Sequence, residues 1–257
     1  MSRYDFTTHR LFVEGSLAQE ARIELDSGQA NYIRNVLRLP DGAEILTFNG
    51  RDGEWRASVA AAGRKSVALI AKEMVRPQHP RFDLHYLFAP LKHARQDYVI
   101  QKAVEMGAGL LRPALTRRTQ AERINFTRMR ANAIEAAEQC GILAIPEIAP
   151  AARLDVLLGD WEKDRILVFC DEDAPVRNPI DALRPLAEAH EARPLAVLIG
   201  PEGGFDSQER DMLLSMSQVV RLSLGPRILR ADTAAVAALT LVQAELGDWR
   251  EDDLRDH

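Results

Sequence analysis

Two stretches in the C-terminal half of this 257-residue chain run an apolar, strand-like segment through a glycine turn into a helix start. One reads LAVLIGPEGGFDSQE, Leu195 to Glu209; the other reads LSLGPRILRADTAAVAALTL, Leu222 to Leu241. In open α/β sheets ligands bind beyond the carboxyl ends of strands, so FCDE, IGPEGGF and LSLGPRIL all lie where a ligand would sit. Glycines at such turns let backbone amides and carbonyls approach the flat polar edge of a ligand such as adenine. A phosphate-binding loop needs GxxxxGKS/T and a dinucleotide fold prefers GxGxxG opening a helix; GPEGGF is neither, which argues against NTP and NAD chemistry. Asp206 and Glu209 form a D-x-x-E pattern and read as a capping box for the following helix. The competing reading of the glycine loop is a tight strand-to-helix turn with no ligand.

The elements that must carry these turns follow from pattern. RLFV, ARIEL, AEILTFNG, EWRASVA and KSVALIAKEMV read as short strands, which fits a small barrel over the first seventy or so residues. Between them DSGQANYIRNVLRLPDG places Tyr32, Ile33, Val36 and Leu37 at helical spacing, with Asp26 or Ser27 as N-cap and Pro40 and Gly42 as the stop. VRPQHPR, Val75 to Arg81, carries two prolines and reads as a linker. Beyond it strands alternate with helices, which predicts an α/β domain with a mostly parallel, buried sheet. The boundaries expected are a barrel domain over 1–74, a linker over 75–81, an α/β domain over 82–250 and an acidic tail over 251–257.

Composition limits the function classes. Hydrophobic residues make up 46% of the chain, enough for a sizeable core. The polar start MSRYDFTTHR lacks a signal peptide's apolar segment and no stretch is long and apolar enough to span a membrane, so a cytoplasmic protein without a membrane partner is expected. Cys140 and Cys170 are the only cysteines and read as reduced, buried thiols. The scattered histidines, including His79, His85 and His93, show no metal-ligand spacing, and no metal is expected. The net charge of −5 hides an asymmetry: from Arg76 to Arg130 there are 11 Lys/Arg against 4 Asp/Glu, and from Ala131 onward 12 against 24. One surface is thus able to meet a polyanion while the rest stays acidic, although basic helices that only face water give the same count.

The combination of IGPEGGF, LGPRILRADTAAVAAL, AIEAAEQC and ILVFCDE resembles the RsmE family, the 16S ribosomal-RNA small-subunit uridine-N3 methyltransferases of the SPOUT class. ANYIRNVLRLPDGAEI with FNGRDGEW is similar to that family's PUA-like RNA-binding domain, so the resemblance spans nearly the whole chain. It implies a trefoil-knotted parallel sheet with helices on both faces, a homodimer, and S-adenosylmethionine as methyl donor. The implied donor pocket takes Leu198, Ile199, Gly200, Pro201, Glu202, Gly203 and Gly204 from one loop. From the other it takes Leu222, Leu224, Gly225, Ile228 and Leu229. The small residues Ala231, Ala234, Ala235, Ala237 and Ala238 would let the last helix pack closely against these loops and a second subunit; high helix propensity alone also explains them.

Methylation of uridine N3 requires loss of its imide proton and stabilisation of charge on O2 and O4. Arg230, at the end of RILR, is the first candidate for that task, with a salt bridge to Glu202 or Asp232 as the competing role. Asp232 stands where the family pattern has Glu, and reads as a helix cap first and a base second. Ile142 likewise departs from the family's frequent Arg, leaving Glu138 and Gln139 as polar lining or helix-end groups. Arg10, Arg34, Arg38, Arg117, Arg118 and Arg123 are the expected RNA contacts, with Arg34 and Arg38 sharing one helix face. The alternatives are a SPOUT methyltransferase acting on another RNA, such as transfer RNA, and a non-catalytic RNA-binding ribosome-assembly factor.

Overall fold

The computed structural model describes residues 7–63, 66–119, 123–189 and 193–250. The acidic tail expected over 251–257 lies outside the described residues. The chain divides into two compact units: Met1–Pro80 with Ile134–Ile145, and Arg81–Ala133 with Pro146–His257.

The first unit is a five-stranded sheet in the order β1-β3-β4-β5-β2. Its strands are β1 (Arg10–Phe12), β2 (Arg22–Glu24), β3 (Glu44–Phe48), β4 (Glu54–Ala61) and β5 (Val67–Arg76). β1 joins β3 in parallel, while the other pairs are antiparallel and the β4–β5 pair carries irregular register near Trp55 and Ala57. Alternation puts Ile45, Trp55, Ala57, Val59, Val67 and Leu69 into one core with Leu11, Ile23 and Ile33. Helix α1 (Ser27–Asn31) starts at Asp26, whose carboxylate accepts from Gln29 N while the Gln29 side chain accepts from Asp26 N, a reciprocal capping box.

A π-helical turn, Tyr32–Val36, continues α1 and ends at Leu37. Arg38 lies beyond it with φ of 57°, so Arg34 and Arg38 do not share a helix face as their spacing suggested. The left-handed residue ends the helix before its next turn forms.

The second half of helix α3 (Phe126–Cys140) belongs to this unit, fastened to the sheet by polar groups. Glu54 lies between Arg10 Nε, at 2.8 Å, and Arg76 Nε, at 2.7 Å, and Arg76 Nη2 donates to the Gly141 carbonyl at 2.8 Å. Phe12 N donates to Glu138 Oε1 at 2.8 Å. Cys140, read from sequence as buried, is exposed at the end of the helix.

The second unit holds a parallel sheet in the order β12-β10-β11-β6-β7-β8, with β9 pairing to β7. The strands are β6 (Leu84–Phe88), β7 (Leu110–Leu115), β8 (Glu147–Ile148), β9 (Ala152–Arg153), β10 (Ile166–Cys170), β11 (Leu195–Ile199) and β12 (Val219–Leu222). The helices are α2 (His93–Glu105), α4 (Leu154–Gly159), α5 (Pro179–Glu188), α6 (Ser207–Ser215) and α7 (Ala231–Leu246). A short 3-10 turn, Asp248–Arg250, follows α7.

Strands β10 and β11 sit inside the sheet and are buried on both faces, which is why ILVF and LAVLI are unbroken apolar runs rather than alternating ones. Leu87, Leu167, Phe169, Ala196 and Leu198 pack toward Leu154 and Leu157 of α4 and Leu213 of α6. Helix α7 packs against α2, α5 and β11. Among the described residues no helix is long and apolar enough to cross a membrane.

Candidate active site

Strand register brings the expected ligand loops together. Cys170 is level with Leu222, Phe169 with Leu198, and Ile199 with Phe88, so β12, β10, β11 and β6 end side by side at their carboxyl ends. The loops that follow therefore share one edge of the sheet, as expected for a ligand site of this fold class.

The loop after β11 is held tightly. A Cβ at Gly200 would come within 2.5 Å of the Phe205 ring, which itself packs edge-on against Phe169 at 5.1 Å, so only glycine allows that approach. Gly204 N donates to Pro201 O at 2.8 Å and closes the turn. Asp206 then caps α6: its carboxylate accepts from Glu209 N at 2.8 Å and Glu209 accepts from Asp206 N at 3.1 Å. That reciprocal pair is the capping box read from D-x-x-E.

The same loop is stitched to the end of β7. Arg118 Nη1 donates to Gly203 O at 2.6 Å, Arg117 N donates to Glu209 Oε1 at 2.7 Å, and Arg117 Nη1 pairs with Asp206 Oδ2 at 3.0 Å. Glu202 pairs with Arg95, and not with Arg230 as the sequence reading allowed. The helix position of Arg95 was not singled out from sequence, because nothing in HARQD marks it as a loop partner.

Gly204 and Gly225 have φ of 69° and 95°, and a Cβ on either would meet nothing within 4 Å. Both loops therefore present bare backbone to open space. Ile228 is 88% exposed, while Leu224 and Leu229 are half-buried. Leu198 and Leu222 have fully buried side chains, so any ligand contact from them is made by backbone alone.

Beneath the loops a buried carboxylate ties three elements. Asp171, directly after β10, accepts from Arg210 Nη1 on α6 at 2.6 Å and from Arg221 Nε on β12 at 2.7 Å. Burial alone would raise its pKa, but the two guanidinium groups and the Asp173 amide outweigh it and hold the carboxyl below its ordinary range. Sequence reasoning placed the end of VFCDE near the pocket but missed this role; the signal available was an acidic residue directly after a buried strand.

Helix α7 begins at Ala231, and its N-cap is Arg230, which makes no side-chain cap hydrogen bond. Asp232 is therefore not the cap residue. It lies inside the first turn, where its Oδ1 accepts from Thr233 N at 2.9 Å and its charge suits the helix dipole. The Arg230 guanidinium is exposed and makes no hydrogen bond or ion pair among the described residues. Burial, followed by the charges of Cys170 and Asp232, pushes the Tyr86 phenol well above its usual range. Burial pushes the Cys170 thiol to about 12, so it stays protonated.

The expected RNA contacts separate into groups. Arg10 is not at the surface: its side chain is 6% exposed and paired with Glu54, so it serves the first unit's core. Arg34 donates to Leu39 O at 2.9 Å and pairs with Asp41. Arg38, Arg117, Arg118 and Arg123 are exposed. Glu138, expected as pocket lining, instead holds the Phe12 amide; burial raises its pKa despite that bond. Gln139 is exposed.

A parallel sheet with glycine loops at its carboxyl edge, preceded in sequence by a small β unit, is an α/β ligand-binding architecture, and the comparisons with known proteins place it among RNA methyltransferases with a PUA domain. The family pattern described as "RNA methyltransferase domain" matches residues 77–243, and that described as "RNA methyltransferase PUA domain" matches 25–72. The chain is 30% identical over 236 residues to ribosomal RNA small subunit methyltransferase E of Rickettsia conorii, covering 91% of this chain and 95% of the relative. It belongs to the ribosomal RNA small subunit methyltransferase E family.

Solved structures agree in fold. A Legionella pneumophila protein described as a methyltransferase, solved with S-adenosylmethionine bound, matches with a TM-score of 0.77 at 28% identity, over 92% of this chain and 97% of that one. The methyltransferase E of Neisseria gonorrhoeae matches with a TM-score of 0.80 at 21% identity, over 94% and 99%, and speaks for the fold.

Proposed function

We propose that this protein transfers the methyl group of S-adenosylmethionine to N3 of a uridine in 16S ribosomal RNA. The observation that carries the reading is the level ending of β10, β11 and β12 beneath two glycine loops with open space beside their backbones. Gly204 and Gly225 leave the room an adenosyl group needs, and the amides and carbonyls of residues 199–204 and 224–229 supply the polar edge that reads adenine. When bound, the donor supplies an electrophilic methyl group on a sulfonium.

The chain's own residues then have distinct tasks. The free guanidinium of Arg230, at the start of α7, stabilises negative charge on the uracil carbonyls as the imide proton leaves. Asp232, two residues further on, is the candidate acceptor for that proton. Asp171 fixes the spacing of the strand ends and Arg118 braces Gly203, so these residues would hold the loops of the donor pocket in one geometry. Arg38 in the first unit and Arg123 in the second are the exposed cations for phosphates, while Arg117 and Arg118 are engaged by Asp206 and Gly203 O.

The substrate form we infer is the assembled small subunit, and the active species a homodimer. Along α7 the apolar residues Ala234, Ala237 and Leu241 are only half-buried, which leaves a small-residue flank for a second copy.

The test is transfer of labelled methyl from S-adenosylmethionine to small ribosomal subunits lacking the endogenous modification, followed by nucleoside analysis. Labelled 3-methyluridine is the expected product. Label in another nucleoside, or in transfer RNA alone, would overturn the assignment of the target.

A further inference from the structure

The glycine loop after β11 is held at its tip by a turn that belongs to another strand. β7 lies beside β6, with Pro113 level with Phe88, and leads at its carboxyl end into a turn over residues 116–119. The turn is closed twice: Thr119 N donates to Thr116 O at 3.1 Å, and Thr116 N donates to Thr119 Oγ1 at 2.9 Å. Its second residue is docked on α6, where the buried Glu209 carboxylate of the capping box also accepts the Arg117 amide. A turn bonded in this way leaves the Arg118 backbone little freedom.

Three arginines surround the loop, and among the described residues only Arg118 faces no carboxylate. Arg95 is paired with Glu202, and Arg117 with Asp206. Arg118 gives an N–H of Nη1 to the Gly203 carbonyl, and its stem lies along the glycine: a Cβ at Gly203 would be 3.6 Å from Arg118 Cδ and 3.8 Å from Arg118 Cβ. A guanidinium carries five N–H donors in one rigid plane. Those on Nε and Nη2 make no hydrogen bond among the described residues, and the residue is exposed. Adjacent free donors of this kind match two oxygens of a phosphate, and a neutral carbonyl partner leaves the positive charge uncompensated for it.

One planar group that holds both loop and phosphate makes the two bindings share a cost. Donor binding fixes the loop and with it the Gly203 carbonyl, while phosphate binding fixes the guanidinium. Either event removes rotamer freedom from an exposed arginine. The ligand that arrives second finds the group already ordered and binds more tightly, with no change of fold.

We propose that Arg118 is a positioning residue that couples the two substrates: Nη1 holds Gly203 O of the donor loop while Nε and Nη2 take a phosphate of the RNA, so each substrate raises the affinity for the other. The proposal rests on the methyl-transfer reading given above. Linkage makes the factor equal in both directions.

The experiment is equilibrium dialysis of labelled S-adenosylhomocysteine, which has no methyl group to transfer, against full-length wild type, Arg118→Ala, Arg118→Lys and Arg123→Ala. Each is measured with and without saturating small ribosomal subunits that lack the modification. Subunits should tighten wild-type binding about fivefold or more. In Arg118→Ala that ratio should fall to unity, whereas a residue that only braced the loop would weaken binding equally in both conditions and leave the ratio unchanged. Arg118→Lys keeps the charge without the planar fork, so its ratio should fall as well. Arg123→Ala should need more subunits to saturate and yet keep the wild-type ratio. A wild-type ratio of unity or below, or an undiminished ratio in either Arg118 variant, overturns the coupling and leaves methyl transfer standing. Wild type that fails to bind S-adenosylhomocysteine or the subunits overturns the methyl-transfer reading, and the coupling with it.

Discussion

Asp171 and Arg221 form a 2.7 Å hydrogen-bonded pair between the residue that leaves β10 and the penultimate residue of β12. The Asp171 side chain is 2% exposed and also holds Arg210, so one carboxylate sets the spacing of the strand ends from which two loops depart. The proposed methyl-donor pocket is therefore coupled to a buried charge cluster beneath it.

Replacing Asp171 by Asn leaves two arginines facing a neutral amide. Breaking a buried pair from one side costs on the order of 3–5 kcal/mol. Chemical denaturation should show a loss of that size, and S-adenosylmethionine affinity should fall with it. The sign with pH follows from the depressed carboxyl: its stabilisation is present above the unfolded-state pKa and is lost as pH falls through the folded-state value. Wild type should thus lose more stability than Asp171→Asn on acidification below the ordinary carboxylate range.

In the first unit, Glu54 is 2% exposed between Arg10 and Arg76. Arg10→Ala should destabilise by about 2 kcal/mol, because the buried Glu54 carboxylate loses one of its two charged hydrogen bonds and keeps only that from Arg76 Nε. Its effect on the salt dependence of RNA binding should be nil, because its charge is already paired inside the fold. A changed salt slope with unchanged stability would return Arg10 to the RNA surface.

Arg230→Ala removes an exposed guanidinium that holds no partner among the described residues, so melting temperature should hardly move. Single-turnover methyl transfer should fall roughly 10²- to 10³-fold, the usual loss for one charge-stabilising donor, while donor affinity stays near wild type. Unchanged transfer would remove Arg230 from the chemistry.

Gly204→Ala puts a side chain at φ of 69°, where about 1–2 kcal/mol of backbone strain is expected. The added methyl meets no protein atom within 4 Å, so a clash can come only from a ligand. S-adenosylmethionine affinity should fall at least tenfold. A variant that is less stable but binds the donor normally would place the adenosyl group elsewhere.

Arg38→Ala and Arg123→Ala should each weaken RNA binding across sequences and lower the slope of log affinity against log salt by about 1. Titration at several salt concentrations measures both. Arg34→Ala should do less, since Arg34 is engaged by Leu39 O and Asp41.

Much of the fold was legible because local rules were strong. The unbroken runs in β10 and β11 announced a doubly covered parallel sheet, Asp206 announced its helix start, Asp26 proved to be the cap of the two residues, Asp26 and Ser27, that the sequence offered, and each of the two glycine turns fell at a strand end. The short strands β8 and β9, two residues each, carried too little pattern to be read. Arg38 misled because a four-residue spacing assumes an uninterrupted helix, and its left-handed backbone ended that helix.

The residues themselves determined which chemistry was available: glycine turns at strand ends, an arginine at the head of the last helix, and a basic stretch within an acidic chain. Only the tertiary structure decided which of these groups are free to act. Arg10 and Arg230 look alike in one dimension, yet one is paired with Glu54 in a core and the other stands in solvent. Asp171 acquired its role because strand order set Arg221 beside it from fifty residues away. Ion pairing and desolvation depend on distance and burial, and pairings between residues so far apart in sequence exist only once the sheet has been assembled.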